Sequence, residues 1–347
     1  MAEGPIGVGE STEAGAELQI SPYTGDDAAE WDEFVVDAPM ATFLHSRRFL
    51  GYHGDRFSDQ SLLLRDPRSR LVGVFPAATD PTDERRVVSH PGITYGGVVH
   101  RGLLGGAAMV QAIAAIRDHY ARLGFRTLRY KAVPDIYHRR PSADDVYALV
   151  NLDARLYRCD LSCAIDLADR PRPSERRRRG ERKALEQGVE VVVDPLDLEE
   201  FWAVLDENLA TRHGARATHS VTEMQLLLSV FPESIEIATA KVDGSVVAGV
   251  VLFKTDRVVH AQYIGSTDEG RAAFALDAVF EECVRRAMTS GARFFDFGIS
   301  TEEEGRVLNT GLYKFKSEFG GGGIVHVFYE LDSTSRPDPA GVDPLHG

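Results

Sequence analysis

The chain has 347 residues, of which 43% are hydrophobic and 27% are charged, and its formal net charge is -14 at pH 7. This composition is that of a globular protein rather than a disordered one, and the acidic balance excludes indiscriminate binding to nucleic acid, which needs clustered cations. No apolar run approaches the roughly 20 residues that cross a bilayer.

The length predicts two domains, each large enough to bury its own core. Residues 1–18 lack both a basic start and an apolar core, so they are interpreted as a flexible leader rather than a secretory signal. The Pro- and Asp-rich residues 333–347 are interpreted as a flexible tail. We therefore expect a first domain over 19–165 and a second over 166–332, whose last strand is a candidate for packing back on the first.

Cysteine usage indicates the compartment and excludes two kinds of site. The three cysteines do not have the spacing of zinc or redox motifs and are too few for a disulfide framework. We expect buried free thiols at Cys159, Cys163 and Cys283, no metal, and a cytoplasmic location with no stable membrane insertion.

The first half predicts an ordered set of elements from hydrophobic periodicity and turn signals. It contains, in order, two helices, a hairpin, a strand, a long helix and a closing strand, at 31–36, 46–52, 62–64 with 71–75, 93–99, 109–123 and 126–130.

The second half predicts the same elements in the same order. Its helices, hairpin, strand, long helix and closing strand lie at 198–210, 222–228, 235–240 with 246–251, 258–264, 276–287 and 293–297, with Thr222 as a helix N-cap. Each long helix ends at a glycine, Gly124 or Gly291, about 167 residues apart. The chain is therefore interpreted as two copies of one α/β unit.

A unit with opening helices, antiparallel strands, a long helix and a closing strand resembles the GNAT acetyltransferase-type fold. We expect an α/β (α+β) protein of two tandem GNAT-like domains with mixed, largely antiparallel sheets. Two such units in one chain resemble the FemAB/FemX family over residues 40–330. The most specific matches are Asp296-Phe297-Gly298 at the end of a strand and the run Phe315-Lys316-Ser317-Glu318-Phe319-Gly320, which is similar to the family's Phe-Lys-x-x-Phe-Gly signature.

Weaker matches lie elsewhere. Residues 179–189 resemble the family's basic helix entering the second unit, 263–266 its Tyr-x-Gly-Ser loop, and 212–214 its Arg-Gly corner. Residues 131–138 are more similar to uncharacterised members associated with surface polysaccharide or natural-product pathways. The resemblance implies transfer of an amino acid from aminoacyl-tRNA to an amine, with the tRNA as co-substrate and no bound cofactor.

Asp296 and Lys316 are the candidate catalytic residues. Asp296 follows phenylalanines in a strand, so we expect burial to raise its pKa toward that of a useful base; the alternative is a cap on the next loop through Ser300 or Thr301. Lys316 is a candidate for holding a phosphate or stabilising an oxyanion, and its alternative is an ion pair with Glu318 or the acidic loop 302–304. In an extended segment Lys314 would face the opposite way.

Further candidates follow from the motifs. Candidate substrate contacts are Arg212, His213, Tyr263, Ser266 and Phe315 in the second half and Tyr95 and Tyr137 in the first. An arginine-rich stretch is either a solvated helix face or a docking face for tRNA phosphates, formed by Arg176, Arg178, Arg179, Arg182 and Lys183.

Two glycine-containing loops are candidates for binding the diphosphate of CoA, which binds backbone amides at a helix N-terminus. The loop at 101–106 is a loose version of such a site. In the loop at 265–271, Asp268 and Glu269 are expected to repel a diphosphate.

The leading prediction is a transferase that moves an aminoacyl group from aminoacyl-tRNA to an amine of a small-molecule or glycan-linked acceptor, in cell-envelope or natural-product biosynthesis. An acyl-CoA-dependent sugar N-acyltransferase is the second alternative. A non-catalytic module that binds tRNA or glycan is the third.

Overall fold

The computed structural model describes residues 18–213 and 217–334, without the side chains of Arg212 and His213. The leader and the tail predicted from the sequence lie almost entirely outside these ranges. No helix in the described ranges is long and apolar enough to span a membrane.

Strands are formed by the β-branched and aromatic segments of both halves. In chain order they are β1 (Gln19–Pro22), β2 (Leu62–Arg65), β3 (Leu71–Phe75), β4 (Ala78–Asp80), β5 (Asp83–Val88), β6 (Val99–His100), β7 (Thr127–Lys131), β8 (Arg155–Asp166), β9 (Glu190–Val193), β10 (Ile235–Val242), β11 (Ser245–Lys254), β12 (Val258–Ser266), β13 (Phe294–Ile299), β14 (Thr301–Glu302), β15 (Val307–Leu308) and β16 (Gly322–Asp332).

Helices separate these strands, and the longest three, of 16 residues each, are the long helix predicted in each half and the helix that opens the second half. They are α1 (Ala28–Asp37), α2 (Arg47–Leu50), α3 (Ala107–Arg122), α4 (Asp144–Asn151), α5 (Glu175–Glu186), α6 (Leu198–His213), α7 (Val221–Val230), α8 (Asp268–Ala272), α9 (Ala275–Ser290) and α10 (Thr310–Ser317).

The larger sheet spans both halves of the chain. Its ten strands have the order β4-β5-β7-β16-β8-β13-β12-β11-β10-β9, and a separate sheet has the order β1-β2-β3-β6. In the larger sheet the pairs β5–β7 and β12–β13 are parallel and the others are antiparallel. The prediction of mixed, largely antiparallel sheets is confirmed.

The last strand connects the two halves. β16 lies between β7 of the first half and β8, and it pairs antiparallel with both. Backbone hydrogen bonds therefore run without interruption from the first half to the second.

Two apolar clusters cover opposite faces of the second half of this sheet. One contains Phe280 of α9 with Phe295 and Phe297 of β13. The other contains residues of α6 and also Tyr95 and Tyr137 from the first half. The first half therefore contributes side chains to the core under α6.

Four local predictions are wrong, and one of them is the burial of Cys159, which is exposed, unlike Cys163 and Cys283. The segment 93–99 is mostly a loop, and only Val99–His100 is a strand, because the chain at Gly97 has a φ of 90° and packs against the ring of Tyr130. The N-cap of α7 is Ser220, which forms a capping box with Glu223, rather than Thr222.

The fourth difference concerns the lysines near the C-terminus. The segment that contains Lys314 and Lys316 is a helix, α10, rather than an extended chain. Side chains two residues apart on a helix point about 200° apart, so the two lysines still face different ways. Lys314 is exposed and Lys316 is buried.

Candidate active site

The site forms where two parallel strands separate. β12 and β13 pair over only three positions, of which the last is His260 with Asp296, and both strands then continue without pairing to each other. β13 also shifts register against β8 beyond Asp296, and Gly298 in this shift has a φ of 76°. The irregular end of β13 therefore opens the sheet beside the Asp296-Phe297-Gly298 segment.

A cavity of about 540 Å³ occupies this region. It receives residues from the end of β12 and from α5, α6, α8, α9 and α10: Arg176, Arg177, Asn208, Ile264, Gly265, Ser266, Gly270, Arg271, Phe274, Leu276, Asp277, Leu312, Phe315 and Lys316. Its volume lies in the range of small-ligand sites. Four cationic side chains and one carboxylate give its wall a positive balance.

Lys316 is one of two buried cations that line this cavity, with Arg177. Its side chain is 3% exposed, and Nζ donates hydrogen bonds to the backbone oxygens of Gly298 (2.9 Å) and Ile299 (2.6 Å). An ammonium group has three N–H donors, so one is left beyond these two bonds. Burial lowers the pKa of Lys316 to about 8, although Asp296 and Cys163 act in the opposite direction.

The ion pair considered for Lys316 does not form. Glu318 instead accepts a hydrogen bond from Nε of Arg177 at 3.1 Å. In the acidic loop, Glu302 accepts from Asn309 and Glu304 pairs with Arg306. Lys316 is therefore held by backbone carbonyls, and no carboxylate of the described residues forms an ion pair with it.

Asp296 is fully buried and accepts four hydrogen bonds. The donors are the hydroxyl of Tyr137 (2.9 Å), Nδ1 of His260 (2.9 Å), the hydroxyl of Ser162 (2.5 Å) and the backbone N–H of Gly298 (2.9 Å). The alternative role as a cap through Ser300 or Thr301 is not seen.

The pKa of Asp296 corrects the expectation from the sequence. Burial does act to raise this pKa, but the nearby His260 and His326 and the hydrogen bonds from His260 and Ser162 outweigh it, so the pKa lies below its usual range. Hydrogen bonds to a carboxylate favour the charged form. Asp296 is therefore a stable carboxylate, suited to orienting a neighbour rather than to accepting a proton.

Of the two predicted first-half tyrosines, Tyr137 contacts Asp296 and Tyr95 packs against Tyr137. Tyr137 donates to the carboxylate of Asp296, and the rings of Tyr95 and Tyr137 lie with centroids 4.7 Å apart. The hydroxyl of Tyr95 contacts that of Thr42 at 3.4 Å. Both tyrosines are buried, and burial raises their pKa values.

The other predicted substrate contacts are divided between two places. Ser266 and Phe315 line the cavity with Lys316. Tyr263 lies apart from them, where its hydroxyl contacts Nδ1 of His219 at 2.5 Å. Nε2 of the same histidine contacts the hydroxyl of Tyr52 at 2.8 Å. The side chains of Arg212 and His213 lie outside the described part of the chain.

The arginine-rich stretch has two functions in the structure. Arg177 is buried and pairs with Asp277 of α9 at 2.9 Å as well as with Glu318, so it holds α5 in place. Arg176, Arg179 and Arg182 are exposed, and Arg176 lines the cavity.

The two remaining members of the predicted docking face make local contacts. Arg178 pairs with Glu175, and Nζ of Lys183 lies 5.1 Å from the ring centroid of Phe274. Arg182 is also within 3.6 Å of Glu186. The predicted face is therefore partly internal to the fold and partly open to solvent.

The two loops considered for a diphosphate differ. In the first half, the N–H of Gly106 already donates to the carboxylate of Asp144 at 2.8 Å. In the second half, Asp268 pairs with Arg271 and its side chain is 92% exposed, while Gly270 and Arg271 line the cavity. Asp268 therefore lies in solvent beside Arg271, and Arg271 brings a positive charge to the cavity wall.

His260 is the site residue that the sequence did not reveal. It lies on β12 directly opposite Asp296, and only the register of two strands distant in sequence brings the two together. The sequence predicted that His260 lies in a strand, but it did not predict that this strand pairs His260 with Asp296.

Comparison with known proteins agrees with this architecture. Residues 174–316 match a family profile described as an acetyltransferase (GNAT) domain. None of the curated proteins compared with the chain matches it.

Solved structures match nearly the whole chain. FemX is 12% identical, with 90% of this chain and 97% of that chain covered and a TM-score of 0.63. The C-terminal domain of a putative lysylphosphatidylglycerol synthetase from Agrobacterium fabrum is 12% identical, with 88% and 92% covered and a TM-score of 0.60. A tandem GNAT protein from the clavulanic acid biosynthesis pathway is 12% identical, with 92% and 100% covered and a TM-score of 0.51.

At this identity the solved structures establish the fold, and they confirm the predicted resemblance to FemX and to tandem GNAT proteins at that level. The profile match concerns residues 174–316, in the second half of the chain. The chain thus has the FemX-like fold, and the match of its residues 174–316 to the acetyltransferase (GNAT) domain profile indicates an acyltransferase.

Proposed function

We propose that the protein forms an amide bond by moving an aminoacyl group from aminoacyl-tRNA to an amine of a small-molecule or glycan-linked acceptor. The main supporting observation is the cavity at the opening between β12 and β13, with buried Lys316 on one wall and Arg176 at the end of α5 on another. Donor phosphates and a developing oxyanion both require positive charge in such a place.

Lys316 is suited to the acyl end of the donor. When an amine attacks an ester carbonyl, negative charge develops on the carbonyl oxygen, and one well-placed donor contributes about 3 kcal/mol to stabilising it. Nζ is fixed by the carbonyls of Gly298 and Ile299, so the group is already oriented before the donor arrives. Lys316 would therefore stabilise the tetrahedral intermediate.

The exposed side of α5 is suited to the nucleic-acid part of the donor. Arg176, Arg179 and Arg182 follow at intervals of three residues, so they lie along one side of the helix and lead away from the cavity. A local basic face on a chain with a net charge of -14 is the expected footprint of a phosphate backbone. The name of the Agrobacterium synthetase also refers to an aminoacylated product, which agrees with such a donor.

Predicted acceptor contacts lie on the other side of the paired strands. Tyr137 from the first half donates to Asp296 there, and Tyr95 packs against the ring of Tyr137. We assign the acceptor amine to this side of the sheet. We also propose that the reaction belongs to cell-envelope or natural-product biosynthesis. A charged-tRNA donor also implies the compartment in which tRNA is aminoacylated, so the proposal includes a cytoplasmic location.

An acyl-CoA-dependent N-acyltransferase is the second candidate, because the matching family profile is described as an acetyltransferase. In this case the same cavity would hold the diphosphate, since the amide of Gly106 in the first-half loop is already bonded to Asp144. The two candidates therefore share an acyl site and differ in the donor.

Incubation of the purified protein with hydroxylamine and either tRNA charged with labelled amino acids or labelled acetyl-CoA tests the proposal. We expect more labelled hydroxamate from charged tRNA with the protein than without it, because hydroxylamine also attacks aminoacyl esters unaided, and we expect ribonuclease treatment of the donor to abolish this excess. Product from acetyl-CoA alone would replace the tRNA donor by CoA. The absence of product from either donor would contradict the proposed transfer.

A further inference from the structure

His260 and Asp296 form a pair at the point where β12 and β13 separate. Nδ1 of His260 lies 2.9 Å from Oδ2 of Asp296, and the two residues are the last partners of the parallel ladder. The His260 side chain is 12% exposed, whereas that of Asp296 is fully buried. The histidine therefore lies between a buried carboxylate and the opening of the sheet.

The hydrogen bonds around Asp296 fix which nitrogen of His260 carries the proton. Ser162 and Gly298 donate to one carboxylate oxygen, and Tyr137 donates to the other. An ionised carboxylate only accepts, so Nδ1 of His260 must be a donor toward it. In the neutral ring, Nε2 is then unprotonated and free to accept a proton.

A second histidine on the same side of the sheet provides a contrast. Both ring nitrogens of His219 are bonded, to the hydroxyls of Tyr263 and Tyr52. Within the described ranges, Nε2 of His260 has no hydrogen-bond partner in the protein. His260 therefore has the geometry of an oriented base, whereas His219 has that of a structural link between tyrosines.

Gly298 relates His260 to the lysine of the cavity. A Cβ built on Gly298 would lie 3.4 Å from Cε1 and 4.0 Å from Nε2 of His260, so the imidazole edge faces this residue. The carbonyl oxygen of Gly298 accepts from Nζ of Lys316 at 2.9 Å. His260 and Lys316 therefore both lie beside Gly298, and because this residue is a glycine, no side chain stands between the imidazole and the ammonium group.

We propose that His260 is the general base of the acyl transfer and that Asp296 and Tyr137 are its positioning residues; this assignment rests on the proposed function. An acceptor amine arrives in water mainly as an ammonium ion, which has no lone pair for attack. Nε2 of His260 takes one proton from it, and the carboxylate of Asp296 stabilises the imidazolium that results.

The free amine then attacks the carbonyl carbon of the donor ester. A carbon–nitrogen bond forms, and Lys316 stabilises the charge on the carbonyl oxygen. The bond between the carbonyl carbon and the tRNA oxygen breaks, and this oxygen takes the surplus proton of the attacking nitrogen. Amide and uncharged tRNA leave, and His260 releases its proton to water, so the net products are amide, tRNA and one proton.

The test compares two nucleophile probes with the same labelled donor at neutral pH. Hydroxylamine is already unprotonated and needs no base, whereas ethanolamine is protonated and does. In His260→Asn the side-chain amide can still donate to Asp296 but cannot accept a proton. We expect this variant to lose about 10²- to 10⁴-fold in transfer to ethanolamine and to change only a few-fold with hydroxylamine.

His260→Ala provides a second measurement, because added imidazole should restore part of its transfer to ethanolamine and a structural role would not respond in this way. His119→Asn, a half-buried histidine of α3 outside the site, is the matched control and should behave as wild type. Thermal unfolding of each variant reports whether the fold is retained.

Equal losses of His260→Asn with both nucleophiles, or no loss with either, would overturn the base assignment while leaving the transferase proposal intact. Wild-type transfer to hydroxylamine but not to ethanolamine would also count against a base at this position. A wild-type protein that forms product from neither charged tRNA nor acetyl-CoA would overturn both proposals together.

Discussion

Lys316 is the residue whose charge the proposed transfer needs most. Lys316→Met keeps the length of the side chain and removes the ammonium group, so we expect kcat/KM to fall about 10²- to 10³-fold. The change in stability should be smaller, because the loss of two hydrogen bonds is offset by removal of a buried charge. Steady-state kinetics and denaturant unfolding measure the two effects.

Lys314→Met is the matched control, since Lys314 is an exposed lysine of the same helix. It should retain wild-type activity. Loss of activity in both variants would indicate that the net charge of α10, and not the position of Lys316, is what matters.

Burial of Lys316 also predicts a pH dependence of stability. Its pKa is about 8 in the folded protein, against an ordinary value of 10.5. Between these two pH values the unfolded chain binds more protons at this residue than the folded chain, so stability rises with pH. We expect the free energy of unfolding of wild type, relative to Lys316→Met, to increase by up to about 3 kcal/mol from pH 8 to pH 10.5.

Urea unfolding of both proteins at several pH values measures this difference. Titration of other groups is common to the two chains and cancels in the comparison. A difference that stays constant or declines over this range would mean that the lysine is not held in a desolvated environment.

At this scale, the sequence predicted burial better than it predicted electrostatics. The phenylalanines around Asp296 correctly indicated a buried carboxylate. The direction of its pKa was wrong because Ser162, His260 and the backbone of Gly298 supply hydrogen bonds that burial alone does not reveal. The first of these donors is more than 130 residues away in the chain, where no local pattern points to it.

Helix α5 has a buried side and an exposed side. We expect substitutions on the buried side to lower stability and substitutions on the exposed side to weaken donor binding. Arg177 is buried between Asp277 and Glu318, so Arg177→Met should destabilise the protein by about 3–5 kcal/mol through the unpaired carboxylates it leaves. Denaturant unfolding measures this cost, and an unchanged midpoint would contradict the role of Arg177 as a link.

Substitutions on the exposed side of α5 should instead weaken binding of the donor. Arg176→Ala, Arg179→Ala and Arg182→Ala should each weaken binding of charged tRNA and reduce the slope of log affinity against log salt by about 1, with stability unchanged. Filter binding over a range of salt concentrations measures both. Arg68→Ala, in the exposed turn between β2 and β3, is the control and should leave the slope as it is.

Helices and strands were predicted correctly where the hydrophobic periodicity was strong. They were predicted wrongly where contacts with a distant strand decide the local conformation. The long helices and the strands that follow them were correct because apolar residues recur there at regular intervals. Residues 93–99 are apolar like a strand, but Gly96 and Gly97 let the loop pack closely on β7 instead. The short helix α10 was missed because its aromatic residues also suit an extended chain.

On the scale of the whole molecule, β16 makes the two halves depend on each other. Removing it would leave β7 and β8 without their shared partner. We therefore expect a single cooperative unfolding transition rather than one for each half. The domain boundary near residue 166 remains a prediction. Measuring whether the two halves unfold together tests whether this boundary separates independently stable units.

The two tryptophans report on the two halves separately, because Trp31 lies in the first and Trp202 in the second, and both are buried. In each of Trp31→Phe and Trp202→Phe, the fluorescence of the remaining tryptophan and the far-ultraviolet circular dichroism should have the same midpoint in urea. Midpoints that differ between the two probes would indicate that the halves unfold independently.

The position of β16 also affects how the protein is made. A ribosome synthesises β7 and β8 well before it synthesises the strand that lies between them, so the nascent chain has a gap in its largest sheet until almost all described residues exist. Exposed strand edges of this kind are prone to pairing with other chains. Cells that express the protein faster than chaperones can protect this gap should accumulate it as aggregates, even though the completed fold buries both edges.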